Sequence, residues 1–195
     1  MLCAASGATT GTSLVHLAAA SGDILALQQA LRLGGSLTTL DAQGRQPLHC
    51  AAKACSIDAV RFLVRNCGVD ANAKAKQVRD GGRCIPHTPS LLLEVCQHFE
   101  CPVVLDAAPQ GWTALHRAAM HGSIQLCQVL VQDCGALLEV LDAEGNTPLH
   151  TAMFWSQCGT AAYLLSRGAN PGAINNVRRR PVYNTSCLCL AIVPC

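Results

Sequence analysis

The sequence predicts an all-α chain, an α-solenoid of stacked helix-turn-helix units joined by short hairpin-like turns. Three observations carry the prediction. A short motif, SLVHLAA at Ser13, QPLHCAA at Gln46, TALHRAA at Thr113, TPLHTAM at Thr147 and RPVY at Arg180, returns at spacings of 33, 67, 34 and 33 residues. Each of the first three motifs carries a pair of alanines, small enough for a neighbouring backbone to approach closely. Glycines then punctuate each unit at similar places.

The motif reads as the start of a first helix. Thr113 and Thr147 are residue types that cap free backbone N–H groups, and Pro47 and Pro148 suit the first turn. Gly22 and Gly122 break the chain, and apolar residues then recur at helical spacing, as in Ile24, Leu27 and Leu31, or Ile124, Cys127 and Val131. These predict a second helix, ending near Gly34, Gly68, Gly135 or Gly168. The 67-residue gap is 33 plus 34, so a further unit with an eroded signature is expected between Gln46 and Thr113. Units fall near 11–40, 41–73, 74–107 (degenerate), 108–141 and 142–175. A ten-residue N-terminal extension precedes them, and 178–195 is expected to be a truncated final repeat or a tail.

Two departures from the period stand out. Cys55 and Ser156 occupy the place of the inter-helix glycine, so less regular turns are expected there. Lys76–Pro89 is rich in Gly, Pro and charge, which predicts a loop or distorted helix in mid-array, with Ser90–His98 as a second helix.

Bulk composition agrees. Of the 195 residues, 50% are hydrophobic but only 4% aromatic, so the apolar content is small and aliphatic, as tightly packed helices require. Only 13% are charged, for a net charge of +2. The charges are segregated, with eight Lys or Arg against three Asp over 45–83, and two against seven acids over 84–170. This is not the continuous basic face that nucleic-acid binding needs. Thirteen cysteines at irregular spacings, with no secretory signal, predict reduced thiols and a cytoplasmic or nuclear location.

At the motif residues the chain resembles the ankyrin repeat family, whose T-P-L-H-x-A signature matches Thr147–Ala152. Turn pieces DAQG (41–44) and DAEG (142–145) and the repeat ends VDANA (69–73) and GAN (168–170) support the resemblance, which covers roughly Gly11–Val193. It implies a non-catalytic scaffold that binds a protein partner through a concave face, without cofactors or a small-molecule substrate. It further implies that His16, His49, His116 and His150 order the turns by hydrogen bonding within and between repeats. Carried over residue by residue, the partner-facing positions are Gln43, Arg45, Lys53 and Ala54; Gln110, Trp112, Met120 and His121; and Glu144, Asn146, Phe154 and Trp155. Together Trp112, Met120, His121, Phe154 and Trp155 are expected to form an aromatic patch.

Other chemistry is thinner. Adjacency of His49 and Cys50 suggests an activated thiol, but neighbours on a helix point apart. Cys84, His87, Cys96, His98 and Cys101 are zinc-ligand types whose spacing fits no standard zinc motif. They leave a metal- or redox-responsive module as an alternative function, and a shortened form of a larger repeat protein as another. Cys187, Cys189 and Cys195 follow the basic run Arg178–Arg180, a combination that suits palmitoylation, yet the period assigns them to the last repeat and membrane attachment is not expected. There is no phosphate-binding loop, paired-carboxylate constellation or nucleophile elbow.

Overall fold

A computed structural model of the chain describes residues 13–76 and 111–181. Among these residues there are helices and turns and no strands. Four helix pairs follow one another: α1 (Leu14–Ser21) with α2 (Ile24–Arg32), α3 (Pro47–Lys53) with α4 (Ile57–Arg61), α5 (Ala114–His121) with α6 (Ile124–Gln128), and α7 (Pro148–Phe154) with α8 (Cys158–Ser166). Helix α4 continues into a wider turn over Phe62–Asn66, and α6 does the same over Val129–Asp133.

The widening has a countable cause. Eleven residues take the chain from the second-helix cap to the stop glycine in the outer pairs (Asp23 to Gly34, Gln157 to Gly168), but twelve in the inner pairs (Ser56 to Gly68, Ser123 to Gly135). The extra residue is absorbed by i→i+5 hydrogen bonds, Cys67 N–H to the Phe62 carbonyl at 3.2 Å and Cys134 N–H to the Val129 carbonyl at 3.0 Å.

Each first helix follows an extended residue, Ser13, Gln46, Thr113 or Thr147. In the last three units the free backbone donor of that residue is satisfied by the motif histidine: Gln46, Thr113 and Thr147 N–H donate to Nδ1 of His49, His116 and His150 at 3.2, 3.3 and 3.2 Å. In two units a left-handed glycine ends the first helix, Gly22 with φ 76° and Gly122 with φ 72°. The turns at Cys55 and Ser156 were expected to be less regular, but both residues adopt the same left-handed backbone, with φ 53° and 56°. The turn geometry is kept, at the steric cost a Cβ brings there.

The core runs along the stack. Leu27, Leu48, Leu63, Leu115, Leu126, Leu130, Leu149 and Leu164 are fully buried, each stabilising the fold by roughly 1.5–3 kcal/mol. The alanine pairs 18–19, 51–52 and 118–119 are buried too, as their role in close approach requires. Helix α1 packs on α3, α3 on α5 and α5 on α7.

The contact between α3 and α5 bears on the expected unit over 74–107. Most of that unit lies outside the described residues, including the helix expected over Ser90–His98. The α3–α4 pair stacks directly on the α5–α6 pair. On the outer side the Arg61 guanidinium meets the Asp133 carboxylate at 3.1 Å and Arg65 meets it at 3.0 Å.

Candidate functional site

Hairpin-like turns lead into the first helices and share one hydrogen-bond pattern. Asp41 N–H donates to the Arg45 carbonyl and Gly44 N–H to the Asp41 carbonyl, both at 2.9 Å; 142–146 and 175–179 repeat the arrangement. Ala75 N–H donates to the Trp112 carbonyl at 2.8 Å, and Gly111 N–H to the Ala75 carbonyl at 3.0 Å. Ala75 and Trp112 therefore take the places that Asp41 and Arg45 hold elsewhere.

The motif histidines bind these turns together. Nδ1 is an acceptor in three of them, so Nε2 carries the proton, and in each repeat it faces a carbonyl of the following unit: His16 to Arg45 at 2.9 Å, His49 to Trp112 at 3.0 Å with Ala73 of its own unit also at 3.0 Å, His116 to Asn146 at 3.1 Å and His150 to Arg179 at 3.2 Å. Burial pushes the His49 and His116 imidazoles down to about 4 from an ordinary 6.5. Burial lowers His150 as well. Hydrogen-bonded at both nitrogens and repeated at a fixed period, the motif histidines are architectural. Cys50 is equally inert: its thiol points to Asp41 Oδ2 at 3.7 Å, away from the His49 bonds, and burial raises it to about 11.

The partner-facing positions expected from the sequence divide into two kinds. At the turn tips, the polar groups hold the turns. Arg45 is clamped on Asp41 at 2.7 Å; burial raises that carboxyl, but Arg45's backbone and side-chain hydrogen bonds more than offset it and leave it below its ordinary value. Asn146 donates through Nδ2 to Asp142 at 3.1 Å and to Glu144 at 3.3 Å, and accepts from Asn175 at 2.8 Å. Gln43 is exposed. Gln110 lies outside the described residues.

Trp112 departs from expectation. It is 5% exposed, its Nε1 donates to Asp142 Oδ2 at 3.2 Å, its ring stacks on His116, and the buried Arg117 guanidinium lies 5.3 Å over it. A ring engaged on all these sides is part of the core. Met120 is also 5% exposed, so neither residue belongs to an exposed aromatic patch. The bond to Asp142 was not anticipated, although the aspartate that opens DAEG was visible as a turn residue.

At the ends of the first helices the surface is more open. Phe154 is 64% exposed and packs edge-on against the half-buried Trp155, with ring centroids 5.6 Å apart. One unit earlier stands His121, lowered by burial and by the positive charge of Arg117 and Lys53. Lys53 and His121 are half-buried, and Ala54 is exposed. Sequence reasoning also missed a row of apolar residues just before the turns: Leu40, Leu141 and Ile174 are 37%, 47% and 59% exposed.

Cys84, His87, Cys96, His98 and Cys101 lie outside the described residues, as do Cys187, Cys189 and Cys195. Among the described residues no group of three His, Cys, Asp or Glu side chains is placed to hold a metal ion. Five described cysteines, Cys50, Cys55, Cys67, Cys127 and Cys134, are free thiols, whereas Cys158 is disulfide-bonded, against the expectation of reduced thiols throughout. No described helix is long and apolar enough to cross a membrane.

Comparison with known families agrees with this architecture. The family described as "Ankyrin repeats (3 copies)" matches residues 2–75 and 88–175. The chain belongs to the ankyrin repeat family. Among similar proteins, mouse diacylglycerol kinase iota is 30% identical over 147 residues, which are 75% of this chain and 11% of the kinase. Human NF-kappa-B inhibitor zeta is 26% identical over 214 aligned positions, covering 89% of this chain and 30% of that protein. Human transient receptor potential cation channel subfamily A member 1 is 40% identical over 70 residues, 35% of this chain and 6% of the channel. The chain thus spans less than a third of each relative. What is shared is the repeat array, a protein-interaction module.

Proposed function

We propose that the array is a non-catalytic scaffold that binds a protein partner through the concave face formed by the turn tips and the C-terminal ends of the first helices, with Phe154 and Trp155 at its centre. The observation that carries this is a contrast within one column of the stack: Met120 is 5% exposed, and Phe154, one unit on, is 64% exposed beside Trp155. A large aromatic pair turned to solvent on a chain with so few aromatics is the side-chain type that interface hot spots favour. Lys53, Ala54, His121 and Glu144 belong to the same proposed face, while Arg45, Asn146 and Trp112 hold its turns in shape.

Of the relatives above, NF-kappa-B inhibitor zeta covers the largest share of the chain, and its name makes an NF-kappa-B subunit the first partner to test. With such a partner the protein would work in the cytoplasm or nucleus. The diacylglycerol kinase match, over 11% of that enzyme, gives no ground for kinase activity here.

In a titration against a purified NF-kappa-B subunit, Trp155→Ala and Phe154→Ala should each weaken binding by roughly 2 kcal/mol, about thirty-fold. The melting temperature should hold steady. Wild-type affinity in both variants would move the partner site elsewhere on the array, and no binding by wild type would remove this choice of partner.

A further inference from the structure

We infer that the outward face of the first helix pair is a docking surface for a second copy of this chain, the two copies meeting face to face about a two-fold axis. Three leucines make the surface. Leu14 and Leu17 on α1 and Leu25 on α2 are 58%, 57% and 71% exposed.

Each stands in a column of the stack that elsewhere looks back at the unit before. The Leu14 column continues through Pro47, Ala114 and Pro148, and the Leu17 column through Cys50, Arg117 and Thr151. All six of these later residues are buried, where each first helix packs on the one before it. The Leu25 column ends at Gly159, where an added Cβ would lie 3.0 Å from Cδ1 of Ile124 in the preceding unit. At α1 and α2, the first described pair, the same three positions open to solvent. The outer face of an end unit in a stacked array is ordinarily polar. Here it is leucine, with about 300 Å² of apolar surface on the three side chains, the size of the largest patch on a typical monomer.

Charge selects a second copy as the occupant. Helix α1 carries no Asp, Glu, Lys or Arg, and residues 13–40 carry one charge of each sign, Asp23 and Arg32. These sit at opposite ends of α2, Asp23 as its N-cap and Arg32 in its last turn, seven residues on from Leu25 and therefore on the same side of the helix. A two-fold axis perpendicular to the helices runs α2 of one copy antiparallel to α2 of the other. Asp23 of each copy then comes opposite Arg32 of the other, and the helix dipoles oppose. The leucines meet across the axis with no like charges between them. Two short helices from each copy make an interface at the low end of the size range, so a Kd on the order of 10 μM is expected.

Sedimentation velocity of the whole chain should show a monomer at about 1 μM passing to a dimer at about 100 μM, with disulfide-linked pairs excluded by non-reducing electrophoresis. Leu17→Asp and Leu25→Asp lie on different helices, and each should hold the chain monomeric at the higher concentration. Both variants should keep the helical signal and melting temperature of the dilute wild type, because both side chains face solvent in a single copy. A wild-type chain that stays monomeric at about 100 μM overturns the inference, whether water, another segment or another protein takes the face. So does a dimer that survives both substitutions, an assembly that grows past two copies, or loss of helical signal in either variant. No other protein enters the experiment, so its outcome is independent of the concave-face proposal.

Discussion

His49 Nε2 and the Trp112 carbonyl oxygen lie 3.0 Å apart although 63 residues separate them in the chain. The bond seals the middle of the array, and it needs a neutral ring: Nδ1 accepts the Gln46 N–H, and a proton placed there would set two donors face to face.

Acid should therefore loosen the array before its carboxylates titrate. His49 and His116 are held neutral to about pH 4, whereas unfolded histidine takes up its proton near 6.5. Between these values the unfolded state binds more protons, so stability is full above about pH 6.5 and falls as pH drops through that window, by on the order of 3 kcal/mol per histidine. His150 acts in the same direction. Urea midpoints at pH 7.5, 6, 5 and 4.5 check this; a flat profile over that range would refute it.

The left-handed turns at Cys55 and Ser156 are strained positions with a simple remedy. Glycine removes the steric cost of roughly 1–2 kcal/mol but gives back about 0.5–1 kcal/mol in chain entropy. Cys55→Gly and Ser156→Gly should each raise stability by about 0.5–1 kcal/mol. Denaturant titration reads the sign, and a loss in both variants would show that the side chains make compensating contacts.

Trp112→Phe separates core from surface. The variant keeps the ring over His116 but loses the Nε1 bond to Asp142, leaving a buried carboxylate oxygen with one donor fewer. A loss of about 1–2 kcal/mol is expected, with partner affinity within two-fold of wild type. A large fall in affinity at unchanged stability would return Trp112 to the binding surface.

The helix pairs, their caps and their buried leucines were legible because each follows from a period and a residue type visible within a dozen positions. Two matters were not. A period counts residues and not contacts, so the direct bond between His49 and the Trp112 carbonyl, 63 residues on, could not be read from the spacing of Gln46 and Thr113. Exposure at the proposed site was the second. Met120 and Phe154 hold equivalent positions, yet one is 5% and the other 64% exposed, a difference that a repeat motif, which fixes position and not neighbours, does not carry. Likewise, a tryptophan at a turn tip looks exposed until Asp142 of the next turn is seen to receive its N–H.

The histidine bonds also make the two ends of the array unequal. Every motif histidine belongs to one unit and points its Nε2 proton at a carbonyl of the next, with His49 sharing its own between Trp112 and Ala73, so the direction of dependence runs mainly one way along the chain. If the first helix pair peels off, His16 leaves with its own donor and the remaining units keep all of theirs. If the last pair peels off instead, Asn146 goes with it and His116 is left with an N–H that has lost its acceptor. Unravelling is thus polar at the His116 joint, where loss of the last pair removes the carbonyl that accepts from Nε2, whereas at the His49 joint the Ala73 carbonyl stays behind as a second acceptor.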